Sequence, residues 1–341
     1  MNITIIGNGA MATVCALILA PAHRVHIWGA NARKLAQIAR ARENVLYLPG
    51  PKFPDGILLT SDAREALDGA ELIINAIPTQ YIREVWDRLA PLTPAGVPVA
   101  SVSKGIEQKT VLRPTQVIAE VLQSSTGSDH PDRSPRPLAT LSGPTVAEEL
   151  AHCLPATLCA ASEDTGFTEQ LQALFSTHWL RVYTNNDLLG VELAGATKNV
   201  IALAAGILDG LKAGINAKSA LLARGLAEIT RLGVAMGARQ ETFFGIAGVG
   251  DLATTCFSPT GRNRTCGEML GRGNKLAQVL EDIPGIVEGV PTTRGVVELA
   301  KRYRVEMPIT TAIYRVLFED LDPIDGIATL MTRELKPERV N

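Results

Sequence analysis

The chain has 341 residues, 46% hydrophobic and 20% charged, with a formal net charge of -2. That length exceeds what one hydrophobic core usually supports, so two domains are expected; the near-neutral charge and 4% aromatic content exclude the basic footprint and stacking platforms of a nucleic-acid binder. The five cysteines form no C-x-x-C pair and no Cys/His cluster with zinc-ligand spacing, so no metal is expected.

The opening Asn2-Ile3-Thr4-Ile5-Ile6 lacks the basic start and apolar stretch of a secretory signal, which predicts a cytoplasmic protein. Its apolar run, 3–6, reads as a strand and leads through Gly7-Asn8-Gly9-Ala10-Met11-Ala12 into an Ala-rich helix over 10–19. This is G-x-G-x-x-A at the end of a first strand. The first glycine permits a tight turn, the second lets backbone approach a pyrophosphate, and a small third residue lets helix pack on strand. Helix amides then face the phosphates. Gly7, Gly9, Ala10, Met11 and Ala12 are therefore candidate dinucleotide contacts, although a plain βα turn has the same glycines.

The next strand, 25–28, ends in Trp28-Gly29-Ala30-Asn31. No carboxylate stands there to hold the ribose hydroxyls of NAD, and Arg33 is the nearest group for a 2'-phosphate. The cofactor is thus NAD or NADP, with NADP favoured; Arg33 as a solvated residue opening the helix 32–42 accounts for the same pattern.

Strands over 72–76, 97–102, 138–141, 156–160 and 180–183 alternate with helices over 81–89, 111–122 and 168–176, the pattern of a parallel sheet with crossover helices. The stretch 124–137, rich in Ser, Pro, Asp and Arg without periodicity, reads as a long exposed loop. Ser103-Lys104-Gly105 follows the 97–102 strand at the carboxyl edge where such sheets bind ligands, which makes Lys104 a candidate, with a solvated loop lysine as the alternative.

From 187 onward helical spacing takes over, with long segments over 188–211, 217–236 and 296–303, so the domains are expected at 1–186 and 187–341. The stretch 188–208 approaches a membrane span in length, but Glu192 and Lys198 interrupt it, and it reads as a buried helix. On that helix Lys198 has only Ala194, Gly195, Ile201 and Ala202 as neighbours, so it is a buried cation. A desolvated lysine has a lowered pKa and can move a proton to or from a reacting oxygen. A structural ion pair with Glu192 or Asp251 explains the same pattern. Further on, Gly248-Val249-Gly250-Asp251 leads into a helix, and Ser258-Pro259-Thr260-Gly261-Arg262-Asn263-Arg264 gathers hydroxyl, amide and guanidinium groups at a helix start, which suits a phosphate or serves as a polar cap. The five histidines make no triad with a serine or cysteine.

Gly7-x-Gly9, Asn44-x-x-Tyr47-Leu48-Pro49-Gly50, Ser103-Lys104-Gly105-Ile106-Glu107, Ser142-Gly143-Pro144-Thr145, Gly195-Ala196-Thr197-Lys198-Asn199-Val200, Gly250-Asp251-Leu252 and Gly261-Arg262-Asn263 together resemble the NAD(P)-dependent glycerol-3-phosphate dehydrogenase family. Ala223-Arg224-Gly225-Leu226-Ala227-Glu228 and Val305-Glu306-Met307-Pro308-Ile309 extend the match to nearly the whole chain. The resemblance implies a Rossmann-type doubly wound α/β sheet followed by an all-α domain, and the interconversion of sn-glycerol 3-phosphate and dihydroxyacetone phosphate, feeding glycerophospholipid synthesis in a cytoplasmic homodimer. It implies Lys198 as general acid/base, Lys104 as a ligand of substrate and cofactor, and help from Asn199 and Asp251. Thr255, Gly261, Arg262 and Asn263 would hold the phosphate and diol with Gly143 and Thr145 nearby, while Ala147, Ile286, Glu288 and Arg262 would lie near the cofactor. The family usually has glycine where Ala12 stands, an aromatic where Met11 stands, and Arg or His where Ala30 stands. Two alternatives share the fold: a β-hydroxyacid or ketopantoate-type dehydrogenase, and a dinucleotide sensor without turnover.

Overall fold

A computed structural model describes residues 1–125, 136–335 and 337–338 and divides the chain into two compact units. The first comprises Met1–Ser103 and Pro114–Leu188, the second Lys104–Arg113 and Leu189–Asn341.

In the first unit β1 (Asn2–Ile6) leads to α1 (Ala10–Leu19), β2 (Arg24–Trp28) and α2 (Ala32–Ala41). A small hairpin, β3 (Glu43–Asn44) and β4 (Leu48–Lys52), precedes β5 (Ile57–Thr60), α3 (Ala63–Leu67), β6 (Leu72–Asn75), α4 (Ile82–Leu89) and β7 (Val99–Ser101). The unit closes with α5 (Pro114–Ser125), β8 (Leu138–Ser142), α6 (Ala147–Ala151), β9 (Ala156–Ser162), α7 (Thr165–Phe175) and β10 (Leu180–Asn185). Eight strands form one sheet in the order β10-β9-β8-β7-β6-β1-β2-β5. All pairings are parallel except β8 with β9, so the last two strands run against the rest. The central strands β6 and β7 are buried at every position, which is why they read as continuous apolar runs.

Two expectations shift by a few residues. The helix expected over 111–122 begins instead at Pro114, because proline suits a first helical turn while Val111 adopts a left-handed φ of 56°. Ser124 and Ser125, expected to open the exposed loop, complete that helix; of the remainder of that stretch, 126–135 lie outside the described residues.

The second unit is helical: α8 (Leu188–Gly210), α9 (Gly214–Ala235), α10 (Gln240–Phe243), a π-helical turn over Ile246–Gly250, α11 (Asp251–Phe257), α12 (Arg262–Gly271), α13 (Leu276–Asp282), α14 (Gly289–Tyr303), α15 (Pro308–Phe318) and α16 (Pro323–Met331). By length and composition α8 could cross a membrane, but its 18-residue apolar stretch is fully buried. Its core contribution comes with close backbone approach. A Cβ at Gly206 or Gly210 would collide with the α12 backbone, and one at Gly267 or Gly271 with the α8 backbone. Small residues four apart on both helices thus let two helices touch main chain to main chain.

The segment Lys104–Arg113, which the expected boundary keeps in the first half, belongs by its contacts to the second unit. Arg113 forms a buried ion pair with Glu192 of α8, and Ile106 packs so closely on Gly295 of α14 that a Cβ there would lie 2.7 Å from it. Two further family-like motifs of this unit also meet. Glu228 of α9 accepts hydrogen bonds from the backbone amides of Ile309 (2.5 Å) and Thr310 (3.2 Å), capping α15 from outside its own sequence.

Candidate active site

The glycine turn stands where strand order reverses around β1, between β2 and β6, at the carboxyl ends of the strands. The Gly7 amide donates to the Trp28 carbonyl and the Ala76 amide to the Ile6 carbonyl, each at 2.8 Å. Gly7 has φ 115°, and a Cβ on it would lie 2.6 Å from the Ala76 carbonyl oxygen, so only glycine fits. At Gly9 the reason differs. A Cβ there meets no protein atom within 4 Å, so it would fill open space at the N-terminus of α1. That helix has no side-chain cap and no acidic residue in its first turn, which leaves amides carrying partial positive charge. Asn8 Nδ2 nearby is buried without a hydrogen-bond partner. An open cradle, uncapped amides and an orphaned donor fit the pyrophosphate of a dinucleotide, with Gly7, Gly9, Ala10, Met11 and Ala12 as the residues around it.

The turn is braced from the hairpin. Buried Asn44 donates through Nδ2 to the Asn8 carbonyl (3.0 Å) and to Thr13 Oγ1 (2.8 Å), and Thr13 Oγ1 donates to the Gly9 carbonyl (3.1 Å). Arg33 is exposed in the first turn of α2, beside Lys34, whose Nζ donates to the Tyr47 hydroxyl at 2.9 Å. Gly143, with φ 138°, follows β8; Thr145 Oγ1 donates to its carbonyl at 3.0 Å, and Ala147 opens α6.

In the second unit a lysine pair converges on one carboxylate. Asp251 opens α11 and is fully buried; its Oδ2 accepts from Lys104 Nζ at 2.7 Å and its Oδ1 from Lys198 Nζ. Lys198 Nζ also donates to Thr255 Oγ1 at 2.6 Å, and that hydroxyl donates to the Asp251 carbonyl at 2.7 Å. Burial lowers the Lys198 pKa from 10.5 to about 8, with Lys104 adding to the effect and Asp251 opposing it. Two ammonium groups share one carboxylate, so the cluster carries net positive charge beside a lysine able to exchange a proton near neutral pH. Cys256 adjoins Thr255, but burial pushes its thiol up to about 12, which makes it a poor nucleophile. The π-helical turn before Asp251 depends on Gly248, where any Cβ would collide with the Phe243 backbone.

A chain of amides continues from this cluster. The Gly289 amide donates to Asn263 Oδ1 (2.9 Å), Asn263 Nδ2 to Asn199 Oδ1 (3.0 Å), and Asn199 Nδ2 to the Lys104 carbonyl (3.4 Å). These bonds tie α14, α12 and α8 to the Lys104 segment. Gly261 is the N-cap of α12 and supplies no side chain, so the first α12 amides remain available to an anion. Arg262, exposed, lies against Gly285, where a Cβ would stand 2.8 Å from its Nη1. Ile286 follows directly, and Glu288 is the N-cap of α14.

Comparison with known proteins bears on the family and the fold. Residues 2–168 match the NAD-dependent glycerol-3-phosphate dehydrogenase N-terminus family and residues 187–328 its C-terminus counterpart. The chain belongs to the NAD-dependent glycerol-3-phosphate dehydrogenase family. A curated glycerol-3-phosphate dehydrogenase (NAD(P)+) of Bacillus pumilus (strain SAFR-032) is 47% identical over 97% of this chain and 94% of its own. The crystal structure of a glycerol-3-phosphate dehydrogenase from Coxiella burnetii superposes with a TM-score of 0.91 at 36% identity, covering 97% of this chain and 99% of that one. A ketopantoate reductase from Ralstonia eutropha, covering 96% of this chain and 100% of its own, shares the fold alone, at 15% identity and a TM-score of 0.58.

Within this family member, the second unit brings together Lys104, Lys198, Asn199, Asp251, Thr255 and Asn263 through the bonds above, with Gly261, Arg262, Ile286 and Glu288 on neighbouring turns. The first unit holds Gly7, Gly9, Ala10, Met11 and Ala12 around the cradle, Arg33 on α2, and Gly143, Thr145 and Ala147 after β8. Of the two acids open to Lys198, Asp251 takes it; Glu192 pairs with Arg113 instead. Sequence reasoning passed over Asn44 as a brace, and Arg113, Asp209, Lys218 and Arg264 as anchors. Asn44 lies in a quoted family-like motif, which is the signal that could have flagged it; Arg264 reads in sequence as part of the phosphate-binding segment, and Arg113, Asp209 and Lys218 look like ordinary charges until their partners are known.

Proposed function

We propose that this chain interconverts sn-glycerol 3-phosphate and dihydroxyacetone phosphate with NAD or NADP, and that Lys198 carries the proton. When bound, the dinucleotide would supply or accept the hydride. In the reducing direction the Lys198 ammonium gives its proton to the nascent alkoxide; in the oxidising direction the neutral amine takes the hydroxyl proton. Asp251 and Thr255 fix the Lys198 Nζ, and Lys104 offers a second cation to the polar end of the substrate. Arg262, Asn263 and the amides of α12 meet the phosphate, with Gly143 and Thr145 contributing near the diol. Gly7, Gly9, Ala10, Met11, Ala12, Ala147, Ile286 and Glu288 bind the dinucleotide, and Arg33 together with the missing carboxylate after β2 favours NADP. On this reading 1–186, apart from the Lys104 segment, is the dinucleotide domain, and 187–341 with that segment is the substrate domain.

The observation that carries the proposal is the buried Lys198, held on Asp251 and Thr255 with its pKa lowered to about 8. The same reading makes the protein a cytoplasmic homodimer supplying glycerophospholipid synthesis. The test follows the loss of reduced-nicotinamide absorbance with dihydroxyacetone phosphate, NADH and NADPH in parallel. Oxidation of either supports the reaction and ranks the cofactors. Silence with both, alongside demonstrated dinucleotide binding and turnover of ketopantoate, would transfer the assignment to a carboxylate substrate.

A further inference from the structure

We propose that Arg264 is a positioning residue for substrate-phosphate recognition, holding the loop that ends in Gly261-Arg262-Asn263, and that Asp209 in turn holds Arg264. The inference rests on the reading that Arg262 and Asn263 meet the phosphate. In sequence Arg264 looks like a third phosphate ligand, two residues past Arg262. Its guanidinium is committed elsewhere. Nε donates to the Ser258 carbonyl (2.7 Å), Nη2 to the Pro259 carbonyl (3.0 Å), and Nη1 to Asp209 Oδ2 (2.7 Å) and Glu268 Oε2 (3.0 Å). Every nitrogen is engaged, and the side chain is only 12% exposed.

The two carbonyls belong to the turn that leaves α11, which carries Asp251 and Thr255, and enters α12, which begins with Arg262. A fork of two nitrogens on that turn fixes the start of one helix against the end of the other. Asp209 anchors the fork to α8, the helix of Lys198, and also accepts Lys218 Nζ on both oxygens, at 2.9 and 2.7 Å. Lys218 Nζ in turn lies 4.9 Å from the centroid of the Phe257 ring, the last residue of α11. Burial works to raise the Asp209 carboxyl, but hydrogen bonds from Lys218 and Arg264 outweigh it and hold the pKa below the usual carboxylate value, so the anchor stays charged. Backbone contact adds a second constraint: a Cβ on Gly206 would collide with the Arg264 carbonyl, so the first turn of α12 is pressed directly on α8.

The discriminating measurement is kcat/KM for dihydroxyacetone phosphate relative to unphosphorylated dihydroxyacetone, in wild type, Arg264→Ala, Arg264→Lys and Arg262→Ala. Arg264→Ala is expected to lower that ratio about tenfold to a hundredfold, mainly through KM for the phosphorylated ketone, because displacing the loop misplaces groups that meet the phosphate. Arg264→Lys should fall between, since an ammonium reaches Asp209 but cannot span both carbonyls. An unchanged ratio in Arg264→Ala beside a lowered one in Arg262→Ala would overturn the positioning role and leave the phosphate site standing. An unchanged ratio in Arg262→Ala as well would remove the phosphate site, and this proposal with it. If Arg264→Ala fails to melt cooperatively, Arg264→Lys carries the test, and a wild-type ratio there overturns the proposal.

Discussion

Asp251 and Glu228 are both carboxylates with almost no exposed surface, 0% and 1%, yet they keep opposite electrostatic company. Asp251 has an ammonium on each oxygen. Glu228 is met by two backbone amides and the Thr310 hydroxyl, with Arg231 acting only at a distance. The amides of a helix N-terminus carry partial charge, so they offset burial incompletely and Glu228 is pushed up to about 7. At Asp251 full cations are present in excess, and the penalty of burial falls on one of them, lowering Lys198 to about 8. A carboxylate served by dipoles is a joint, here fastening α9 to α15. A carboxylate outnumbered by cations keeps a lysine close to the point where it changes charge.

The largest effect separating the two sites is expected from Lys198→Ala. If Lys198 carries the proton, kcat falls about a hundredfold to ten-thousandfold, while dinucleotide affinity measured by fluorescence titration stays close to wild type. Undiminished turnover would make the Asp251 site a joint like the one at Glu228.

A smaller effect, in pH, tests which group titrates. Reduction of the ketone requires the ammonium, so kcat in that direction falls as pH rises through about 8; oxidation of the alcohol requires the free amine and rises through the same point. Asp251→Asn removes the negative charge that supports the ammonium and leaves burial and Lys104 acting together, so both midpoints move down. Profiles of kcat against pH in both directions measure this, and midpoints that stay fixed in Asp251→Asn would point to a group other than Lys198.

How much of this was legible in the sequence follows from distance along the chain. The cradle is made by consecutive residues, Gly7 to Ala12, and the strand before it is a buried apolar run, so pattern alone located both. Edge elements escaped: β5 offers only the short apolar run Ile57-Leu58-Leu59 with Leu58 42% exposed, and Pro49 and Pro51 break the pattern of the hairpin strand β4. Lys198 was visible because a charge in an Ala/Leu/Gly helix has nowhere solvated to go. Its partner was narrowed to Glu192 or Asp251 but not decided, because Asp251 lies 53 residues away and no local spacing chooses between them. The amide relay from Asn263 through Asn199 to Lys104 joins residues 64 and 95 apart, and no local periodicity encodes it. The glycines of α8 and α12 show their four-residue spacing in sequence, yet only packing decides that they face each other.

The smallest effect concerns the joint. In the folded chain Glu228 titrates at about 7 against an ordinary 4.5, so between these values the folded state binds more protons than the unfolded one, and stability falls as pH rises across that window. Glu228→Gln keeps an acceptor oxygen for only one of the Ile309 and Thr310 amides, a loss that is the same at every pH, and has nothing to ionise. Subtracting the variant's melting curve from wild type at each pH isolates Glu228 from every other acid. The wild type is expected to lose on the order of 3 kcal/mol, roughly 6–12 °C of Tm, relative to Glu228→Gln on going from pH 4.5 to pH 7.5. A difference that stays flat would mean that Glu228 is ionised throughout, and that helix amides neutralise a buried carboxylate as fully as the two lysines of Asp251 do.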